Sequence, residues 1–484
     1  MRSESETDLR LYNKDLAPVA VSSRSWGWFA IFNTWCNASQ SLLGYTLAAS
    51  FFFSYGLNGW AVFAAIVLSG FVIMMLINLA GEPSVRYGIP YPVLARASMG
   101  VYGANIPALM RGIVAIFWYG AQSYVGSTAV LLMLTVYFGE GSKETFLGLT
   151  PLAWLALGLV CVLQVALFWK GIEWIRVFLN WAGPAVYAVM VTLLVMIWVK
   201  TGTSLPEQVG IVLKGHKQTI GAQISDFFAV VGTMIAFYAA IILNYGDFSR
   251  YVHTQRDMRL GNLLGLPVNI TLFALLSLLI SAGTIALFGE HLTDPTAIIA
   301  RIDNDVLTIV ASLTFFVATV GINVVANYVP PANDLSNLWP ARISFRRGGI
   351  IAAAAAFCVS AAWVPFISVF GISKFVNTLG AFLAPAYGIM VADYYLVKKR
   401  TLVVKDLYDG ARTGAYHFQN GFNLVAIAAL FVSSIFSVSA VWLPSLEILK
   451  GFDWLISAGI GAAMYLVMIK VFSGALDPRN RQKQ

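Results

Sequence analysis

Two pairs of side chains in this sequence have the types and spacing to hold a small organic molecule. Trp118 and Gln122 stand four residues apart within Phe117-Trp118-Tyr119-Gly120-Ala121-Gln122-Ser123-Tyr124-Val125-Gly126-Ser127. On a helix that spacing turns a flat aromatic surface and a primary amide to the same face. Asn323 and Asn327 repeat the spacing further along, and Gln40, Phe237 and Tyr238 add another amide and two rings, all within apolar stretches. Amides both donate and accept hydrogen bonds, and aromatic rings offer stacking faces. The set therefore suits a small, flat, uncharged molecule bearing alternating N–H and C=O groups. Taken alone, each of these residues would serve equally well as an interhelical hydrogen bond or a packing ring. The combination is what points to a site.

Acid–base and metal chemistry has little to work with. Asp226, Asp247, Asp393 and Lys374 sit at the ends of apolar stretches, Glu82 and Glu173 in loops, and His216, His253, His291 and His417 in connecting segments. The sequence contains no metal-ligand spacing, nucleophile elbow or phosphate-cradling loop. The three cysteines, Cys36, Cys161 and Cys358, all lie in apolar segments and suggest neither a disulfide nor a metal site. Neither an enzyme nor a cofactor is expected.

The elements that must carry these residues follow from composition. Of 484 residues, 58% are hydrophobic and 11% charged, with mean hydropathy +0.75, where soluble chains carry about a quarter charged residues. Apolar runs near twenty residues long indicate membrane-spanning helices rather than a barrel. Turn signals divide them into twelve spans, from Trp28–Phe53 to Trp454–Phe472. The third, Ala104–Tyr137, is too long to lie level in a bilayer. Lys and Arg gather on alternate loops with Arg10, Lys14 and Arg24, which places both termini in the cytoplasm. The net charge of +8 forms no basic stripe, so the partners expected are the lipid bilayer and a small molecule, not nucleic acid.

The pieces Glu82 to Gly100 and His291 to Asp303 occupy equivalent links, between the second and third helix of successive groups of five. This placement and the odd parity of a five-helix unit predict an inverted repeat. The resulting division is a tail at 1–25, one repeat at 26–200, its inverted copy at 223–398, two additional helices at 421–473 and a tail at 474–484. In such repeats the first helix of each half is commonly interrupted. The polar cluster Asn33, Thr34, Asn37, Ser39, Gln40 and Ser41 marks one break, and Gly232-Thr233 marks a second in the sixth span.

The sequence resembles the nucleobase–cation symporters of the first type, whose bacterial members include permeases for hydantoins, allantoin, uracil and cytosine. The similar stretches are Ser25-Trp26, Arg86-Tyr87-Gly88-Ile89-Pro90, Arg96 to Gly103, Trp118 to Gln122, Asp247-Phe248-Ser249-Arg250, Asn323 to Asn327 with Pro331-Ala332-Asn333-Asp334, and Asn420-Gly421-Phe422-Asn423. The resemblance implies an all-α integral membrane protein of twelve helices, a five-plus-five inverted repeat with two more, acting as a monomeric importer in the bacterial cytoplasmic (inner) membrane. It implies substrate held between the first, third, sixth and eighth spans, with Trp118 stacking and Gln122, Gln40 and Asn327 hydrogen-bonding. Tyr238 stands where relatives often carry a second stacking Trp, so the ring compound is expected between Trp118 and Tyr238. A sodium site in such relatives uses carbonyls matching Cys36, Ser39 and Ala318 and hydroxyls at positions held here by Gly321 and Ile322. Neither has a side-chain oxygen, so the coupling ion expected is a proton. A sodium-independent facilitator, a receptor and a channel are the alternatives.

Overall fold

The structure, a computed structural model, describes residues 8–476 apart from 55, 216, 217 and 303. The first seven residues, Lys217, His216 and the tail beyond residue 476 lie outside it. Among the described residues there is no strand; the chain is a bundle of helices. The first span is α1 (Trp28–Ser39) and α2 (Leu42–Ser54). The second is α3 (Gly59–Tyr87), and the short α4 (Tyr91–Met99) comes after it. The third is α5 (Asn105–Phe138), one unbroken helix of 34 residues, then α6 (Pro151–Phe168), α7 (Ile172–Thr201) and the short α8 (Ser204–Lys214).

The second half begins with α9 (Ile220–Asn244) and the one-turn α10 (Gly246–Ser249). The seventh span joins α11 (Gln255–Leu263) to α12 (Asn269–Phe288) through a π-helical turn, and leads to the short α13 (Pro295–Ala300). The eighth runs from α14 (Asp305–Ile322) through a π-helical segment, Asn323–Tyr328, into α15 (Val329–Leu338). Then come α16 (Phe345–Ala361), α17 (Ile372–Ala392), α18 (Leu424–Trp442) and α19 (Asp453–Leu476). Among the described residues ten spans are long and apolar enough to cross a bilayer; the ninth, bent by 62° after Ala361, and the interrupted first complete twelve.

Packing repeats between the halves in inverted order. The second span lies on the sixth (α3 on α9) as the seventh lies on the first (α11 on α1). The first packs on the fifth (α1 on α7) as the sixth packs on the tenth (α9 on α17), while α5 meets α14 and α15 across the middle. The expected break at Gly232-Thr233 is absent, for α9 continues through it. Gly232 instead admits a backbone: a Cβ there would lie 2.4 Å from Gly451 Cα. The link helix α4 has no exposed face, since all nine of its residues are buried. Its Arg96, held between the end of the eighth span and a later loop, donates to Asn337 Oδ1 (3.1 and 2.5 Å) and to the Leu407 carbonyl (2.8 Å). Burial brings that guanidinium down to about 10, so it stays charged at neutral pH. On the outer wall an apolar cavity of about 430 Å³ opens between α5, α17 and α18, lined in part by Phe117, Phe375 and Trp442.

Small residues set the helix spacing. A Cβ at Gly388 of α17 would stand 1.9 Å from the Ala458 carbonyl oxygen of α19. Gly388→Ala is therefore expected to push the tenth and twelfth spans apart, costing about 1–3 kcal/mol, read as a lowered unfolding temperature of the purified protein.

Candidate functional site

The first span breaks because Gln40 leaves the helix (φ −82°, ψ 37°) and Ser41 caps the next one, α2, its Oγ accepting from Gly44 N–H at 2.8 Å. The cluster around the break is buried. Much of it turns back on its own helix: Asn33, Thr34 and Asn37 each donate to the carbonyl four residues earlier. Gln40 does not, and its amide lies within reach of the Tyr187 hydroxyl. It faces a cavity of about 20 Å³ shared with Tyr45, Met190, Phe273, Phe315 and Ala318.

A second cavity, of only about 10 Å³, lies between the third, sixth and eighth spans, lined by Trp118, Gln122, Phe237, Ile322 and Asn327 with Ala240, Ile241 and Ala326. That is room for about one water. Phe237 and Phe375 each stand 5.3 Å from the Trp118 ring, at 80° and 70° to it. Tyr238 turns the other way: its hydroxyl lies 2.8 Å from Ser39 Oγ, which also accepts from Asn269 Nδ2 at 2.9 Å. The ring against Trp118 is thus Phe237, while Tyr238 ties the sixth span to the break in the first.

The two asparagines differ in role. Asn323 is fully engaged, donating to Gln164 Oε1 (2.8 Å) and Ser123 Oγ (3.1 Å) and accepting from Asn327 Nδ2 (2.9 Å). This chain holds the Asn327 amide with its nitrogen turned away and its oxygen unpartnered. Gln122 Oε1 is likewise buried without a donor. Two residues that line the cavity with Trp118 therefore carry acceptor oxygens with no donor to meet them. A buried acceptor in that condition is costly, and a ligand N–H relieves it.

The residues expected around a cation lie among close interhelical contacts. Asn37 fills the room beside Gly321, where a Cβ would fall 2.3 Å from Asn37 Oδ1. Both hydrogens of the Asn37 amide are engaged, by Asn33 O and Leu179 O, and its oxygen has no partner. Ile322 lines the small cavity rather than the space beside the first span, and Thr319 packs on Gly126. The Cys36 carbonyl accepts from Gln40 N–H. Among the described residues no three His, Cys, Asp or Glu side chains gather as metal ligands.

Several buried polar residues carry no mark in the sequence strong enough to single them out. Gln164 and Ser123, which hold Asn323, are fully or almost fully buried, as are Arg111 and Asp334. A lone Gln in the apolar run of the fourth span was the available signal for the first. Arg111 and Asp334 lie toward the ends of the third and eighth spans, where ionisable residues were expected, yet both are buried.

Residues 18–470 match the sequence profile of a family described as permeases for cytosine/purines, uracil, thiamine and allantoin. The allantoin permease of Bacillus subtilis (strain 168) is 32% identical over 477 residues, covering 97% of this chain and 96% of the relative. A purine-uracil permease of Arabidopsis thaliana is 30% identical, over 89% of this chain and 72% of its own length. Among solved structures, Mhp1, a nucleobase-cation-symport-1 family transporter in a closed conformation with bromovinylhydantoin bound, superposes with TM-score 0.78 at 20% identity, covering 96% of this chain and 97% of that one.

Asn323→Leu leaves Gln164 Oε1 buried without this donor and is expected to cost about 1–3 kcal/mol. Replacing Gln164 by Leu as well should recover part of that loss, because both partners are then apolar. Thermal unfolding of the two single variants and the double variant measures the coupling.

Proposed function

The chain belongs to the family of permeases for cytosine and purines, uracil, thiamine and allantoin, and we propose that it imports a small neutral cyclic ureide or pyrimidine of the allantoin, hydantoin or uracil kind. The observation that carries this reading is the pair of buried, donorless oxygens, Gln122 Oε1 and Asn327 Oδ1, beside the Trp118 ring. A flat ring with N–H groups on its edge would stack on Trp118 and donate to both. Phe237 would supply the second ring, and Gln40 would close the site from the break in the first span. Tyr238, joined to Ser39, would transmit movement of that break to the sixth span.

A cavity of about 10 Å³ cannot hold such a ring, so binding must part the spans around it. This supports alternating access over a channel, which needs a continuous lined pore. The protein is a multi-pass membrane protein. In this reading it resides in a bacterial inner membrane as a monomer, with both termini cytoplasmic, the side to which the charge bias assigns them.

Proton coupling is the reading favoured by Gly321 and Ile322, which remove two hydroxyl ligands from the place a sodium ion would occupy. The Asn37 oxygen supports a second reading, in which it replaces one of those ligands and sodium remains the driving ion. Uptake into proteoliposomes separates the two. Replacing sodium by choline is expected to leave uptake intact and an inward proton gradient to raise it; collapse in choline would establish the second reading. Uptake unaffected by both would identify a facilitator.

Allantoin, hydantoin or uracil should raise the unfolding temperature of the purified protein, whereas sugars and amino acids should not. Gln122→Ala is expected to weaken that binding by about 1–3 kcal/mol, roughly tenfold to a hundredfold. Unchanged affinity in this variant would remove the third span from the site.

A further inference from the structure

Beneath the small cavity, towards the end of the bundle where the amino-terminal segment packs, a set of ionisable groups is closed off from water. Arg111 precedes Trp118 by seven residues on α5, and Asp334 lies seven residues after Asn327 on the eighth span. At ~1.5 Å per residue each lies roughly 10 Å along its helix from the cavity. Arg111 is fully buried and Asp334 is 2% exposed.

Arg111 gives none of its hydrogen bonds to an acid. Its Nε and Nη2 donate to Asn244 Oδ1 (3.1 and 2.9 Å), to the Ala240 carbonyl (2.9 Å) and to the Ala326 carbonyl (2.6 Å), and its Nη1 has no partner. Ala240 and Ala326 both line the cavity. The Ala326 carbonyl is open to a side-chain donor because Pro330, four residues on, has no N–H to give it. One guanidinium thus ties the sixth span to the π-helical segment of the eighth directly below the cavity.

Asp334 lies against the same helix, its Oδ2 3.9 Å from where a Cβ at Gly112 would be, and neither carboxylate oxygen has a donor. The second acid is Asp247 of α10, also fully buried. It accepts from Tyr91 N–H (3.1 Å) and Asn244 Nδ2 (3.2 Å), with Arg250 within electrostatic reach. The groups whose charge bears on Asp334 are Asp247 of α10 and Arg111 of α5; from α4, the uncharged Tyr91 phenol feels the Asp334 charge in turn, and Arg96 is bound to Asn337 of α15. From the other elements packed on α15, Asp15 of the amino-terminal segment accepts from Phe345 N–H, and Arg347 of α16 donates to the Arg342 carbonyl. A buried carboxylate with no donor is poorly tolerated as an anion, and a bound proton removes the charge.

We propose that Asp334 takes up and releases the coupling proton, and that Arg111 is the cation that answers to its charge. The proposal rests on the proton-coupled reading of the site. With a proton on Asp334 the carboxyl is neutral and Arg111 holds the Ala240 and Ala326 carbonyls, the arrangement seen here. Loss of that proton to water leaves a carboxylate that draws the free Nη1 of Arg111 towards it, which loosens the tie between the sixth and eighth spans. One proton is bound and one released, and no other bond is made or broken.

The test uses the whole protein in liposomes with a trapped pH-sensitive dye, and a mixture of allantoin, hydantoin and uracil as probe. The wild type should acidify the lumen on addition of the mixture. Asp334→Asn should retain the thermal stabilisation by the mixture while proton entry falls to that of protein-free liposomes. Arg111→Gln should move the pH profile of uptake to higher pH, because a carboxyl without its cation holds its proton longer. Proton entry at wild-type level in Asp334→Asn would overturn the proposal and leave proton coupling standing. No proton entry in the wild type would overturn the coupling reading itself, and this proposal with it. Should Asp334→Asn not fold, Asp334→Glu keeps the carboxyl and is expected to shift the pH-dependent carboxylic-acid band in the infrared difference spectrum; an unshifted band would equally overturn the proposal.

Discussion

Inside a bilayer, a polar group turned away from water has to find its partner within the protein. That constraint organises the centre of this bundle. Asn323 connects the eighth span to the fourth through Gln164 and to the third through Ser123, and the nitrogen of Asn327 is anchored on Asn323. Every one of these bonds is between spans or within the eighth. Once they are made, acceptors are still left over, among them the oxygens of Gln122 and Asn327, which line one small cavity with Trp118. The candidate site is built on these two.

The same constraint explains the irregular backbone. Helices that depart from regular hydrogen bonding in a membrane do so where protein supplies substitutes. Ser41 caps α2 at the break of the first span, and Arg111 provides the donor that Pro330 withholds from Ala326. The sixth span, related to the first by the inverted repeat, has no such break in this structure. The two halves therefore share packing partners without sharing local backbone. Tyr238 couples them, joining an intact helix to an interrupted one through Ser39.

Much of this architecture was legible in the sequence because hydropathy and parity are properties of long stretches. The twelve spans, the equivalent link helices and the interrupted first span all follow from runs of residues, and the Trp118 and Gln122 pair from a spacing that survives on any regular helix. The features that were not legible depend on rotation and register. Phe237 and Tyr238 are neighbours, and which of them turns towards Trp118 is decided by how α9 is rotated against α5. The use of Asn33 and Thr34 to bond their own helix could not be told from cavity-facing polarity by composition. Arg111 and Asp334 were missed because each reads locally as a residue near a span end; their common environment comes from antiparallel helices that place residue 111 beside residue 334. Asn37 and Gly321 make the same point, a side chain from one span filling the room that a glycine leaves on another.

The tightness of the centre bears on leakage. Trp118 is packed edge-on by Phe237 and Phe375, and the space beside it is no larger than about 10 Å³. Rings packed in this way leave room beside Trp118 for about one water. At this level of the bundle the aromatic cluster is therefore a plug, holding back water and small ions that a polar, solvated lining would let pass.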